Sequence, residues 1–527
     1  MIDVADLAQR LERLEQESEK NRRERDEYKK LYELLREENE RLKRGLLGQK
    51  AERLPSNDAQ LSLAILGLMK QQDHGSEAEF EHDHDDEQEV AAHTRRRAKR
   101  KPLPEEFPRV EFQLVPLEVE REGTDAFEVI GEDAREVLER RPGSHVVVRI
   151  IRKKYVRRDR DREATAVFIA EPPELPIERG LAGPGKLADT IVKRWVEHQP
   201  LHRQEATNQR EGIDLARSTM CEWHITLAAL CRPLIDAMFA DAFAAPYLCT
   251  DATGVLVQAP ERCKNGHFWV LVVPDRHVLY RFSERHNGAA VDQLLAGYTG
   301  HLVADAHVVY DHLYTTGDVT EVGCWAHVRR YFHKALESDP ERAKAALAFI
   351  AALFKIERAI ATAPRKKKEQ ARDRQSRPIV EKFFAWCDSE RDVVLDESPI
   401  AKAINYARNQ REALCRFLAD GRLPLHNNAS ELALRRQVIG RKNWLFLGSN
   451  DGAEANTTFV SLLASCALHG IEPWAYLRDL FILLPGWPRT RVLDLAPVNW
   501  KATLEKDEAQ EKLAANVFRR ALLDLSA

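Results

Sequence analysis

The most constraining stretch runs from residue 247 to 314, where an acid twice interrupts an otherwise apolar segment. "YLCTDATGVLVQ" (247–258) is apolar, acidic at Asp251, then apolar again, and reads as a strand. "GHFWVLVVPD" (266–275) and "HVLYRFSE" (277–284) follow as two more strands with turns between, so the first three read as antiparallel neighbours. "AAVDQLLAGY" (289–298) has the spacing of an amphipathic helix. "GHLVADAHVVYDHLY" (300–314) is a fourth, short buried strand ending on Asp305.

When the fourth strand of such an order returns beside the first and parallel to it, as in a ribonuclease-H-like fold, the two aspartates converge. Two carboxylates a few ångströms apart repel strongly unless a divalent cation neutralises them. A third carboxylate completes a site for two magnesium ions, the arrangement that serves in-line attack at phosphodiesters.

A third acid stands in "LHNNASELALRRQVIGRKNWLFLGS" (425–449), where Glu431 opens a helix-like stretch containing Arg435, Arg436, Arg441, Lys442 and Trp444. Two readings of these residues stay open: a solvated ion-pair face, or a metal ligand among groups that hold a polyanion. Asn427, Asn428 and Ser430 supply cap chemistry, and Leu432, Leu434 and Val438 are read as burying the helix's other faces. Glu454 lies in "GSNDGAEAN", read as a glycine-rich turn that holds a carboxylate poorly. Glu472 precedes Pro473 and reads as the cap of the next helix.

A chain of 527 residues exceeds one compact core, and 44% hydrophobic content supports folded domains. Residues 3–53 carry a heptad-like Leu/Tyr seam flanked by Glu, Lys and Arg, read as a self-associating coiled coil (domain 1–53) against the alternative of a lone solvated helix. Acidic and basic blocks through 54–101 read as a charged linker. Residues 102–175 offer short strands, notably "HVVVRIIRKKYV" (145–156). In 176–238, breaks at Gly183-Pro184, Gln199-Pro200 and Glu211-Gly212 separate short helices. Ser218 is placed to cap the last of them, with Arg217 beside it, and this is the layout of a helix-turn-helix or of plain helical packing.

The formal charge of −4 from 80 basic and 84 acidic residues excludes no partner. The eight cysteines contain no C-x-x-C pair, which argues against a disulfide framework or a four-cysteine zinc site. With no apolar leader and no run of bilayer length, the expectation is a reduced, cytoplasmic (nucleoid-associated) protein without membrane contact. Cys324 and His327 form a C-x-x-H pair, half a zinc site on spacing alone.

Several stretches together carry a resemblance: "RLKRGLLGQKAERL", "PLHRQEATNQREGIDLARSTMCEW", "GCWAHVRRYFHKA", "NNASELALRRQVIGRKNWLFLGS" and "LLASCALHGIEPWAYLRDLF". In that order they resemble the insertion sequence 66 (IS-66) family of bacterial transposases, over roughly residues 31–484. The resemblance implies a catalytic, metal-binding triad of Asp251, Asp305 and Glu431 with two Mg2+ ions, Mn2+ being the alternative. It also implies that the interval of 126 positions from the second acid to the glutamate (431 − 305) holds a mostly helical insertion. His327 then sits near the active site as a fold marker.

The implied organisation is multidomain α+β. An N-terminal coiled coil is followed by a small β-containing module (102–175) that is zinc-binding-like but lacks metal ligands, and by a helix-turn-helix. A ribonuclease-H-like catalytic domain (239–484) then carries a helical insertion at about 335–420, and residues 485–527 extend it. Members commonly have zinc-binding cysteines in the small module, a glutamate and a threonine after the first aspartate, and an acid or amide where His426 stands. Here 102–175 has no cysteine and the run is Asp251-Ala252-Thr253.

The implied activity is DNA transposition: binding terminal inverted repeats, cleaving strands and joining them to target DNA, with accessory proteins of the same element as further partners. Arg217, Ser218, Arg329, Arg330, Arg435, Arg441 and Lys442 are the expected DNA contacts. Trp444 either stacks on a base or packs in the core. The alternatives are a catalytically inert DNA-binding scaffold and a nuclease of the same fold.

Overall fold

The computed structural model describes residues 107–141, 144–157 and 167–524, together with Leu103 and Glu105; the expected coiled coil (1–53) and charged linker (54–101) lie outside the described residues. Residues 327–411 form one compact unit, and residues 101–326 with 412–527 form the other.

The larger unit opens with a small sheet of β1 (Arg109–Leu114), β2 (Phe127–Arg141), β3 (Ser144–Arg157) and β4 (Phe168–Ile169). The long β2–β3 hairpin is antiparallel, and β1 adds parallel to β3. The β-branched run of β3 fits this place, because a central strand favours Val and Ile on a pleated, half-buried surface. The apolar face, with Val137, Val148 and Ile150, is covered by Val517, Phe518 and Ala521 of the C-terminal helix Val517–Asp524. The extension after residue 485 therefore returns to roof the first sheet.

Three helices follow: α1 (Pro184–Trp195), α2 (Leu201–Arg210) and α3 (Arg217–Ala242). Each break falls at a proline or glycine seen in the sequence, and Gly212 takes φ +78°, which a side chain would resist. The sequence placed a cap at Ser218, and the structure corrects this. Ser218 sits inside the first turn of α3, while the Arg217 N–H donates to Glu205 Oε1 of α2 at 3.0 Å. A carboxylate from the preceding helix has taken the capping role.

The start of α1 is fastened to the small sheet by a buried charged group. Glu139 of β2 is fully buried and its Oε1 accepts from the N–H groups of Arg140 (2.7 Å) and Lys186 (2.6 Å). Burial raises its pKa to about 7, against the pull of those N–H groups. Glycine is required here: a Cβ on Gly185 would lie 2.5 Å from Glu139 Oε1 and 2.6 Å from the Arg140 carbonyl. Lys186, itself buried, contacts His145 Nε2 of β3 (2.9 Å) and donates to Asn208 Oδ1 of α2 (3.0 Å), so one side chain ties three elements together.

The second sheet has strand order β7-β6-β5-β8-β9. β5 (Tyr247–Val257), β6 (Lys264–Val273) and β7 (His277–Ser283) are antiparallel; a helix, α4 (Gly288–Leu294), leads to β8 (Gly300–Val303), which lies parallel to β5, and β9 (Val319–Val322) lies parallel to β8. The first and fourth strands are therefore adjacent and parallel, as their order suggested. The fourth strand ends at Val303, two residues short of Asp305.

From Trp325 the chain enters α5 (Trp325–Lys334) and the smaller unit, whose long helices include α6 (Pro340–Ala359), α7 (Arg377–Arg391) and α8 (Pro399–Asn409). Its core is aromatic, with Phe332, Phe349, Phe383 and Trp386 ring against ring. Buried Arg372 is held by both carboxylate oxygens of Glu357 at 2.8 Å, the paired geometry that makes a buried guanidinium tolerable.

The departure and return of this segment are stitched within the larger unit. The Gly323 N–H donates to the Ala413 carbonyl (2.9 Å), the Trp325 indole to Leu414 O (3.0 Å), and the Trp325 N–H to Leu425 O (3.1 Å). The chain then forms α9 (Asn428–Trp444), β10 (Phe446–Leu447), α10 (Asn450–Leu468) and α11 (Pro473–Leu483). Glu454, read as sitting in a glycine-rich turn, is in the first turns of α10 and pairs with Arg232 at 2.9 Å. The Gly/Asn/Asp signals there belong to a helix start, capped by Ser449. Glu472 does cap α11, accepting from Trp474 N and Ala475 N.

Candidate active site

The site is set by where the second sheet comes apart. β6 covers one edge of β5 along its length. On the other edge β8 pairs only with residues 247–249 and β10 only with 256–257, so no strand among the described residues fills the gap between them. Asp251 lies two residues past Cys249, the last residue paired to β8, and Asp305 lies two residues past its partner Val303. The two aspartates therefore stand at matching steps past the last pair, since 303 − 249 and 305 − 251 are both 54.

Tyr310 feels the charge of both aspartates. Its buried phenol is held well above its ordinary pKa, first by burial and then by the negative charges of Asp305 and Asp251. Both carboxylates thus act on one hydroxyl. Asp251 Oδ1 also accepts from the N–H of Ala252 at 2.7 Å, which limits its rotamers.

Glu431 arrives on the first turn of α9. The preceding residue at the helix entrance, Asn427, is fully buried and bonded on every side. Its amide donates to the Thr250 carbonyl at 2.8 Å, its Oδ1 accepts from Ser430 Oγ at 2.8 Å, and its backbone N–H donates to Cys324 Sγ at 3.1 Å. Thr250 immediately precedes Asp251, so the start of the Glu431 helix is pinned one residue from the first aspartate. Cys324 is accordingly an acceptor in this joint, a structural use that spacing alone did not indicate. At the other end of α9, Arg441 donates to Thr253 Oγ1 at 3.0 Å and to the Gly254 carbonyl. The helix is laid along β5 and fixed at both ends.

Imidazoles and an indole line the neighbourhood of Asp305. Trp269 stacks on His286 (centroids 4.8 Å apart, planes 7° apart), and His286 meets His307 edge to face at 4.8 Å and His267 at 5.0 Å. Burial, followed by the neighbouring His307 and His267, holds the His286 pKa below its usual value. Sequence reasoning passed over these rings: His267 and Trp269 lie two residues apart on β6, while His286 and His307 come from segments that follow β7 and β8.

The remaining expected contacts fall as follows. Arg435 and Lys442 are exposed on α9, and Arg217 and Ser218 are exposed at the start of α3. Arg329 and Arg330 are exposed on α5, in the smaller unit, as is the partly buried His327. Trp444 is only 8% exposed and packs against Gly440, where a Cβ would lie 2.8 Å from the indole nitrogen, so burial assigns it to packing. Leu432 was expected to help bury α9 but is 65% exposed, and only Leu434 of that trio is buried.

Among the described residues no group of three or more His, Cys, Asp or Glu is drawn together tightly enough to hold a metal ion. The donor chemistry nonetheless fits a hard divalent cation, the oxygen donors being Asp251 on β5, Asp305 just past β8 and Glu431 in the first turn of α9, while Cys324 and Cys249 are buried and Cys324 is bonded to Asn427. No described helix is long and apolar enough to cross a membrane.

Comparison with known proteins agrees along most of the chain. The family model "Transposase IS66 family" matches residues 179–455, "Transposase C of IS166 homeodomain" matches 34–112, and "IS66 C-terminal element" matches 461–498. "Uncharacterized protein y4hP" of Sinorhizobium fredii is 31% identical over 490 residues, 88% of each chain. "Uncharacterized protein y4qI" of the same organism is 32% identical over 392 residues, 71% of this chain and 72% of its own.

Proposed function

The chain belongs to the insertion sequence 66 family of transposases, and from that premise we propose that it cleaves and joins DNA strands at the ends of its element with a triad of Asp251, Asp305 and Glu431. The observation that carries this reading is the split of β5 from β8. Asp251 and Asp305 each follow by two positions the last paired residues of two adjacent parallel strands, and Asn427 fastens the Glu431 helix to the residue before the first of them. The strand order and the helical insertion between the second aspartate and Glu431 support a ribonuclease-H-like core.

Asp251, Asp305 and Glu431 would hold divalent ions, Mg2+ or Mn2+, which would supply Lewis-acid stabilisation of the charge building on the phosphate and on the departing oxygen. The protein's share is placement. Arg435, one turn beyond Glu431, and Lys442 meet phosphate oxygens and orient the strand. A water oxygen attacks phosphorus in line and gives up a proton to solvent, the bond from phosphorus to the 3′ oxygen breaks, and that oxygen takes a proton from solvent to become a hydroxyl, leaving a 5′ phosphate. The 3′ hydroxyl then attacks a phosphodiester of the target DNA in the same geometry, losing its proton to solvent as the target's own 3′ oxygen departs and is protonated in turn. No serine or tyrosine need bond to DNA at any stage. Repeat recognition is assigned to 181–238, where Arg217 and Ser218 start α3 at the surface, and self-association to the seam in 3–53.

Incubating the full chain with labelled inverted-repeat DNA and Mg2+ tests the reading. It predicts free 3′-hydroxyl ends and strand-transfer products, both lost in Asp251→Asn. Cleavage without joining would assign a nuclease, and binding without cleavage an inert scaffold.

A further inference from the structure

The helix carrying Glu431 buries one side and leaves the other conspicuously apolar. Leu434, Gln437, Gly440 and Trp444 face inward. Outward, Leu432 is 65% and Ile439 51% exposed. Seven residues apart, they share one face about 10 Å apart along the axis, the length of about three stacked base pairs. Immediately past the helix, Leu445 is 65% exposed and takes φ +61°, ψ −52°, a conformation unfavourable for a leucine, and Phe446 beside it is 41% exposed. Single exposed leucines are ordinary, whereas a stripe of large apolar groups along one element marks a contact surface.

Charge says what the contact is. Arg435 and Lys442 alternate with Leu432 and Ile439 on the same exposed side, and Glu431 stands at its edge. Cations interleaved with apolar groups suit a polymer with phosphates outside and flat apolar bases inside, once the bases are unstacked.

We propose that the outward face of α9 is a DNA-opening wedge: Leu432 and Ile439 enter the base stack next to the cleaved phosphate while Arg435 and Lys442 hold the backbone. This rests on the transposase reading and adds a step to it, in which the end is opened as the strand enters the site. Leu445 and Phe446 extend the same apolar surface away from the cut.

The test is the double variant Leu432→Ser/Ile439→Ser, assayed in the full chain on two substrates: fully paired ends, and ends with three mismatched pairs at the cut. Both positions are exposed, so the fold tolerates the change, and Leu432→Met/Ile439→Leu serves as the conservative control. The proposal expects the serine variant to lose about tenfold or more in cleavage of paired ends, with most of that loss recovered on mismatched ends. It also expects 2-aminopurine at the terminal positions to brighten on binding wild type and not on binding the serine variant. Wild-type rates on paired ends, or an equal loss on both substrates, overturn the wedge. So does a drop in assembly mass, which would make the face a self-association surface. Should wild-type protein cleave neither substrate, the transposase reading fails first, and that outcome is distinct from all of these.

Discussion

Asn427 and Asn428 are adjacent, identical in chemistry and opposite in circumstance, which makes them a sharp test of how the site is built. Asn427 has no exposed surface and uses both ends of its amide, donating to Thr250 O and accepting from Ser430 Oγ at 2.8 Å each. Asn428 is exposed. Asn427→Ala leaves a buried carbonyl and a buried hydroxyl without those partners, and each such loss costs about 1–3 kcal/mol. The expected destabilisation of the larger unit is therefore about 2–4 kcal/mol, against roughly 0.5 kcal/mol or less for Asn428→Ala. Urea unfolding of both variants, followed by tryptophan fluorescence, measures the difference. Below the transition, Asn427→Ala should also lose strand cleavage, because α9 is no longer fastened beside Asp251. Equal stabilities for the two variants, or an Asn427→Ala protein that cleaves at the wild-type rate, would refute the account of Asn427 as the pin.

Four further outcomes follow from other parts of the chain. His224 is fully buried against Thr190 Oγ1 (3.1 Å), and burial, then Arg194, lowers its pKa to about 3. A depressed folded-state value means its contribution is present above pH 6.5 and is lost as pH falls toward 3, by up to about 1.4 kcal/mol per pH unit. The stability gap between wild type and His224→Gln should therefore shrink between pH 7 and 5, and a pH-independent gap would contradict this. Glu139, raised to about 7, acts in the opposite sense, its contribution fading as pH rises from 4.5 through 7, so Glu139→Gln should steepen the acid sensitivity of the protein. Gly185→Ala should cost about 1–3 kcal/mol by forcing a methyl against Glu139 and the Arg140 carbonyl, read as a lowered unfolding midpoint. Arg217→Ala should weaken binding to inverted-repeat DNA with no change in stability, as seen by gel shift and thermal melting together.

Four strands of the second sheet, β5 to β8, were legible because each is a short apolar run bounded by turn residues, and Asp251 and Asp305 stand out in or just past such runs, whereas β9 and β10, short and without such a run, were not. What lay beyond reach depends on contacts distant in sequence. Nothing in "GCW" announces that Cys324 accepts from Asn427, 103 residues away, or that Phe518 roofs the first sheet. The reading of α9 failed for a nearer reason. Leu432 and Leu434 are two residues apart, about 200° around a helix, so one buried face cannot take both. Ser218 misled because a serine two residues into a helix looks like a cap until a carboxylate from elsewhere, here Glu205, takes the N–H. At Glu454, turn-forming residues were the entrance of a helix, since Ser, Asn, Asp and Gly serve both.

The central claim is that Glu431 completes a carboxylate triad with Asp251 and Asp305, and Glu431→Gln addresses it with almost no change of shape. Glu431 is half-buried in the first turn of α9, and the glutamine keeps the length and packing while removing the charge. Cleavage of end-labelled inverted-repeat DNA in Mg2+ should vanish in this variant while gel-shift affinity for the same DNA stays at the wild-type level. Cleavage within a few-fold of wild type would show that the third carboxylate lies elsewhere.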